Sequence, residues 1–480
     1  MKDLPPAWPR ELRSFIGATL RARAETLLVL DDDATGTQTV HGIPILLRWE
    51  PDDLRATLDG RYPAIYLLTN SRSLTEATAV ELNSRAIKAI AAAWGDRSIP
   101  PRVVSRSDST LRGHYPAETD VISAEVSSRF GFSYDGVLLV PFFEEGGRLT
   151  IHDTHWVVTG GDAIPIGESE FARDPVFGFR ASSLPFWVAE KSKGRIPPEK
   201  VERVTLEDIR LGGPKRVRQK LLRVTGGIPV VVNAASCGDL EVVIAGLLEA
   251  EASGKNFLYR TAASFVPIRA GILPRPLLSP SELSSRGGTG GLVVVGSYIQ
   301  RSTVQLAALL ERPGTVGFAV HVQALLDHSR ATAEVTRVTA EATDVMRSGD
   351  IAVIYTSRAF VDAESTVSRQ DVARTVSHAL VAIVRGIRAR PRYVLTKGGI
   401  TASDIATEAL GARRALVLGQ ILPGVPVWQL DEECLYPHTP YVVFPGNVGG
   451  PDALAKAVGL LKLTGVQTAE DTAERDSVSA

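Results

Sequence analysis

Short runs of Val, Ile and Leu recur along the chain, each followed by a longer amphipathic or Ala-rich stretch. Parallel strands buried on both faces read as near-continuous apolar runs, and crossover helices fill the stretches between them. The pattern predicts strands at Thr26–Leu30, Ile43–Leu47, Ile65–Thr69, Val103–Arg106, Val137–Pro141 and Pro229–Val232 in the first half. In the second half it predicts Leu292–Gly296, Gly314–Val320, Ile351–Thr356, Arg392–Thr396, Val425–Leu430 and Tyr441–Phe444. The expected fold class is therefore α/β, with two α/β domains built on mainly parallel sheets.

Pro267 to Gly291 is dense in Pro, Ser and Gly, a composition that disfavours both helix and ladder. This segment is the expected linker and hinge. It separates a first domain over residues 1–266 from a second over 292–467, and a polar tail over 468–480 is expected to be disordered. A chain of 480 residues exceeds the roughly 250–300 that one core supports, which agrees with two domains. Residues from about Asp153 to Leu222 read as loops and short helices laid over the first sheet.

Apolar content of 44% and charged content of 22% fit a soluble globular protein, and the net charge of −1 gives no electrostatic reason to expect nucleic acid. No stretch approaches the ~20 apolar residues of a membrane span. The amino terminus lacks the apolar run of a secretory signal. Cys237 and Cys434 are the only cysteines and lie far apart, so neither a disulfide framework nor a CxxC metal site is available. A cytoplasmic protein with a small-molecule partner is expected, and a homo-oligomer is left open.

One strand ends unusually. In LLVLDDDATGTQ, Leu27 to Gln38, three aspartates follow an apolar run where parallel sheets open onto their ligands. A single aspartate there is most simply a helix cap, but three in succession call for a ligand. Gly36 supports a tight turn, with Thr35 and Thr37 adding hydroxyls. SRSDSTLRGHYPAE, Ser105 to Glu118, offers Arg106 and Arg112 to clamp a carboxylate, and Asp108 and Ser109 to take hydroxyls. Its bland alternative is a helix capped at Ser109 with solvated arginines. Arg72 stands just beyond a third strand end. His152, Asp153 and His155 invite a metal reading, but their spacing is weak support, and no protein metal site is assigned.

Asp31, Asp33 and Thr35 also spell the Asp-x-Asp-x-Thr of haloacid dehalogenase-like phosphatases, with Leu67–Asn70 similar to their second motif. In that reading Asp31 attacks phosphorus and Asp33 is the general acid. The later acidic strand end that would hold Mg²⁺ is not found, and the second half would have no task. A non-catalytic sugar-acid sensor is the remaining alternative.

The second half joins strands to helices through small residues at Gly296–Ser297, at Gly398–Gly399 after Lys397, and at Gly446, Gly449 and Gly450. Helix starts and paired glycines admit phosphate close to the backbone, although none of these stretches spells a Walker A or GxGxxG motif.

On these residues the chain resembles the four-carbon acid sugar kinase family from about Leu27 to Leu463. The resemblance is carried by Asp32, Asp33, Thr35 and Gly36, by Asp108 to Gly113, and by GSYIQRST, KGGIT and FPGN in the second half. It implies a sugar-acid-binding domain and an ATP-binding domain with the active site in the interdomain cleft. It assigns ATP contacts to Ser297, Gly398, Gly399, Ile400, Thr401, Gly446 and Gly449. Members linked to tetronate metabolism are similar to Gly-Gly-Glu-Thr at the second corner, where this chain has Ile400. The expected reaction is phosphoryl transfer from ATP and Mg²⁺ to a terminal hydroxyl of threonate, erythronate, a 3-oxo-tetronate or a branched 3-oxo-isoapionate. Asp32, Asp33 and Arg112 are the expected catalytic residues, and Thr35, Arg72, Arg106, Asp108 and Ser109 the expected substrate contacts.

Overall fold

Most of the apolar runs fold as buried parallel strands. The computed structural model describes residues 4–97, 99–284, 287–296, 299–357 and 369–462. The chain divides into two compact units, Met1–Pro274 and Arg275–Ala480. The expected disordered tail, 468–480, lies outside the described residues.

The first unit contains β1 (Leu27–Asp31), β2 (Ile43–Leu46), β3 (Ala64–Leu68), β4 (Arg102–Arg106) and β5 (Gly136–Val140), then β6 (Arg148–Ile151), β7 (Thr154–Thr159) and β8 (Asp162–Pro165). It ends with β9 (Glu202–Val204), β10 (Ile228–Val232) and β11 (Phe257–Thr261). Its main sheet runs β2-β3-β1-β4-β11-β5-β10-β9, every pairing parallel. All five residues of β1, β3, β4, β5 and β11 are buried, as a sheet covered on both faces requires. Leu28, Leu30, Ile65, Leu67, Val103 and Leu139 point to one face and pack with Ile87 and Ile90 of the helix Glu76–Trp94 and Ile122 and Val126 of the helix Ala117–Phe130.

Two expectations need correction. The stretch expected to be loops and short helices is partly an antiparallel sheet, β6-β7-β8, whose first turn places His152 and Asp153 at positive φ. Its central strand β7 alternates buried and half-buried residues, and its outer strands are short and largely polar or exposed, so no continuous apolar run marks them. The strand β11 was also not expected: FLYRT carries an arginine and breaks the apolar pattern.

The second unit contains β12 (Gly291–Val295), β13 (Thr315–Val320), β14 (Ile351–Thr356), β15 (Val394–Lys397), β16 (Arg414–Leu422), β17 (Val425–Leu430) and β18 (Pro440–Phe444). The order is β13-β14-β12-β15-β18-β17-β16, parallel from β13 to β18 and antiparallel thereafter. β16 alternates buried and half-buried residues and was missed for the same reason as β7. Among the described residues no helix is long and apolar enough to cross a membrane.

Candidate active site

In the first unit, β1 lies between β3 and β4, so the three polar strand ends emerge side by side. Backbone bonds continue past the strands: Asp32 N–H donates to the Arg106 carbonyl (3.2 Å), Thr69 N–H to Asp31 (2.9 Å) and Arg72 N–H to Asp32 (3.2 Å). These bonds bring the Arg72 side chain over the aspartates. Its Nη2 lies 3.1 Å from both Asp32 Oδ1 and Asp33 Oδ2, and its Nη1 lies 3.5 Å from Asp108 Oδ1. Arg112 Nε donates to the other Asp108 oxygen, which also accepts from the Thr110 hydroxyl. Thr35 donates to Asp33 Oδ1 through its N–H (2.8 Å) and its hydroxyl (2.6 Å).

Burial and pairing separate the carboxylates. Burial works to raise Asp33, but Arg72 and the two Thr35 bonds outweigh it and hold the group low. Asp108 is likewise held low against burial, by Arg112 and Arg72. Asp32 is pushed up to about 7 by burial, opposed by Arg72 and reinforced by the Glu118 carboxylate. Its Oδ2 is buried without a hydrogen-bond partner. Asp31 is raised well above the carboxylate range, first by burial, with Arg106 opposing.

Asp32, Asp33, Thr35, Arg72, Asp108 and Arg112 thus form one network. Arg106 does not join it. Its register places it beside Asp31 on the strand face opposite to Ser105, and its Nη1 donates to the carbonyl of Ser107. Ser109 caps no helix, because the next helix begins at Ala117. Its carbonyl instead accepts from Nε2 of the buried His155 (2.8 Å). His152 sits in the hairpin turn, Asp153 pairs with Arg203 and Asn233, and among the described residues no group of three or more His, Cys, Asp or Glu side chains could hold a metal ion.

Asp31 is fully buried, and a Cβ at Gly36 would stand 2.0 Å from both its oxygens. Gly36 thus packs directly onto the Asp31 carboxyl, the face that the phosphatase reading needs open to phosphorus, so the geometry disfavours that reading.

Two buried residues of this neighbourhood escaped the sequence reading. Glu118 accepts from the Ser71 hydroxyl and from Asn83 (3.3 Å). Arg260, on β11, lies over the rings of Tyr115 (5.1 Å) and Trp187 (5.3 Å). An aromatic pair near an arginine in space, but distant in sequence, leaves no local signal.

In the second unit β15 lies between β12 and β18, which sets the three glycine corners side by side at one sheet edge. Ser297 lies outside the described residues. Gly296 meets the second corner closely: a Cβ there would stand 2.1 Å from Thr401 Oγ1. Gly398 adopts φ +111°, and the helix Gly399–Asp404 starts immediately after it, with Ile400 exposed on its first turn.

The third corner is held by its carbonyls. Lys397 Nζ donates to Pro445 (2.9 Å) and Gly446 (3.3 Å), Arg301 to Asn447, and the buried Gln305 Nε2 to Val448 (3.1 Å), Gly449 (3.2 Å) and Gly450 (2.8 Å). In a trans peptide the N–H points opposite to the preceding carbonyl. Carbonyls drawn to these three side chains therefore leave the N–H groups of residues 446 to 450 pointing away from them.

Comparison with known proteins agrees with both halves. Residues 27–268 match the family model described as a sugar-binding N-terminal domain, and residues 292–454 match that of a nucleotide-binding C-terminal domain. The chain is 26% identical over 418 residues to the D-erythronate kinase of Heliobacterium modesticaldum, covering 84% of this chain and 88% of the relative. It is also 26% identical over 418 residues to the 3-oxo-tetronate kinase of Cupriavidus necator, covering 85% and 89%. Solved structures of proteins from Haemophilus influenzae (TM-score 0.60, 18% identity, 90% of this chain and 100% of that one) and Salmonella typhimurium LT2 (TM-score 0.64, 17% identity, 90% and 98%) share the fold. Two models matched in order across most of the sequence, together with the signatures at Asp32–Gly36 and Asp108–Gly113, establish that the chain belongs to the four-carbon acid sugar kinase family.

Proposed function

We propose that the protein is an ATP-dependent kinase that phosphorylates a terminal hydroxyl of a short-chain sugar acid, with Mg²⁺ entering on the nucleotide. The observation that carries this reading is the separation of roles among the clustered carboxylates. Asp33 and Asp108 are neutralised by Arg72, Arg112 and threonine donors, whereas Asp32 keeps one buried oxygen without a partner. An acceptor poised near neutrality suits a hydroxyl that must lose its proton as it attacks phosphorus.

In the proposed step the substrate hydroxyl oxygen bonds to the γ-phosphorus, the bond from that phosphorus to the bridging oxygen of ADP breaks, and the hydroxyl proton passes to Asp32 Oδ2. Arg72 holds Asp32 in place. Phosphoryl transfer depends mainly on positioning and charge stabilisation. On the nucleotide side, the turned N–H groups of residues 446 to 450 and the start of the helix Gly399–Asp404 would receive phosphate oxygens. The names of the two relatives support a four-carbon acid as acceptor.

The test is ADP release from ATP and Mg²⁺ across a panel of D-erythronate, D-threonate, 3-oxo-tetronate and 3-oxo-isoapionate. Turnover with at least one acid and none without acid is expected. Phosphate release from a sugar phosphate in the absence of nucleotide, or nucleotide binding with no acid turned over, would overturn the reading.

A further inference from the structure

Four arginines stand at the strand ends of the first unit, and three have employment within the protein. Arg72 meets three carboxylates, Arg112 meets Asp108, and Arg106 donates to a backbone carbonyl. Arg260 differs: it is 3% exposed, and its Nε and Nη2 are buried with no hydrogen-bond partner. Arginine does not shed its proton in a protein. A permanent buried charge with two unmet donor atoms is expensive: Glu118, Asp32 and Asp108 act on it only from beyond ion-pair distance, and the faces of Tyr115 and Trp187 compensate it in part.

Nε and Nη2 form one edge of the guanidinium, the edge that grips a carboxylate with two parallel bonds. The protein uses this edge elsewhere: Arg210 donates through Nε and Nη2 to the two oxygens of Asp239, both at 2.8 Å. At Arg260 the same fork has no carboxylate from the chain. Beside it stands Gly113, which carries no side chain. Gly113 adopts φ +121°, and a Cβ there would stand 3.4 Å from Asp32 Oδ2 and 3.6 Å from Arg260 Nη2. An unpartnered acceptor and an unpartnered cationic donor therefore both lie within contact distance of the one position that Gly113 leaves without a side chain.

We infer that Arg260 receives the carboxylate of the sugar acid beside Gly113, while Asp32 receives a hydroxyl of the same molecule. This rests on the sugar-acid reading above and names the group that makes the substrate an acid. The planar fork selects a carboxylate over a neutral chain end. It assigns Arg260 to substrate affinity, and Asp32 to turnover.

The experiment compares wild type with Arg260→Met and Arg260→Lys, using the best acid of the panel and its neutral amide. Circular dichroism and the denaturant unfolding midpoint serve as the check of folding. In Arg260→Met the KM for the acid should rise about a hundredfold, the size expected when one partner of a desolvated ion pair is removed. The preference for acid over amide should collapse with it, while kcat at saturating acid changes far less. Arg260→Lys should keep part of the preference, since it supplies charge without the fork, and it carries the test if the Met variant fails to fold. Equal losses for acid and amide would mark a structural role and overturn the inference. So would a fall in kcat at unchanged KM, which would place Arg260 on the transferred phosphoryl group. A wild type that turns over the acid while Arg260→Met keeps the preference refutes Arg260 alone. A wild type that binds none of the acids refutes the sugar-acid reading and the inference with it.

Discussion

Gly36 lies against the carboxylate of Asp31 so closely that a Cβ at position 36 would stand 2.0 Å from both carboxylate oxygens. The glycine of the Asp-Asp-x-Thr-Gly signature is thus required by contact, not by a positive φ. Gly36→Ala should lower stability by about 1–3 kcal/mol, the range for overpacking a filled site, and turnover should drop with it because Asp32 and Asp33 share the displaced turn. Asp31→Ala removes the obstructing oxygens. In the double variant the stability loss should be smaller than the sum of the single losses, as denaturant midpoints would report. Additive losses would show that the contact is not the cause.

Arg72 is the charge that makes the aspartate cluster tolerable, since burial alone would disfavour its ionised forms. Arg72→Met leaves the carboxylates of Asp32, Asp33 and Asp108 short of their shared partner. Removing one member of a buried ion pair costs about 3–5 kcal/mol. The loss, measured by denaturant unfolding at pH 8, should shrink at pH 5, where protonation relieves the unpaired charge. A loss independent of pH would point to packing of the arginine stem.

Asp32 gives the pH dependence a definite sign. Its native value of about 7 lies above the ordinary 3.8, so between those values the native state binds more protons than the unfolded one. The Asp32 contribution to stability is therefore fully present below pH 3.8 and is lost as pH rises to about 7. Asp32→Asn abolishes this term, so its Tm relative to wild type should climb between pH 5 and pH 8. Activity moves oppositely: kcat of the wild type should fall about tenfold per unit below about pH 7, as the acceptor becomes protonated. The variant should lose most of its turnover while still binding ATP. Near-normal kcat in Asp32→Asn would remove this residue from the reaction.

Much of this was legible in the chain because parallel strands carry their own signal. The runs around Leu28, Ile65, Val103 and Val293 are continuous since both sheet faces are covered, and polar residues at their carboxyl ends announce ligands. What stayed hidden depends on register and on pairing between distant residues. Arg106 and Asp108 are two apart in sequence, yet Arg106 ends β4 beside Asp31, whereas Asp108 lies beyond the strand end, where it meets Arg72. The strand containing Arg260 looks too polar to be buried, because what makes it tolerable is a ring pair from Tyr115 and Trp187. Gln305 sits on a helix and reads as an ordinary polar residue. Only the three-dimensional return of β18 beside β15 explains its burial.

Gln305 also yields the sharpest prediction for the nucleotide side. Its single amide nitrogen lies within 3.2 Å of three successive carbonyls, those of Val448, Gly449 and Gly450, while Lys397 and Arg301 hold the three before them. None of these donors needs to touch phosphate to matter, since fixing the carbonyls orients the N–H groups behind them. Gln305→Leu keeps the bulk but frees three carbonyls, so it should weaken ATP binding by about tenfold, comparable to about 1.4 kcal/mol of lost preorganisation. The KM for the sugar acid should not move, because that site belongs to the other unit. Lys397→Met should act in the same direction. Burial, with Arg301 adding to it, brings the Lys397 ammonium down to about 7, so in the wild type ATP affinity should itself decline as pH rises past that value and the clamp loses a donor. Isothermal titration with ATP at pH 6 and pH 8.5 decides the matter: the decline should be present in wild type and in Gln305→Leu, and absent in Lys397→Met. Unchanged ATP affinity in both variants would mean that the turn is held by its glycines alone.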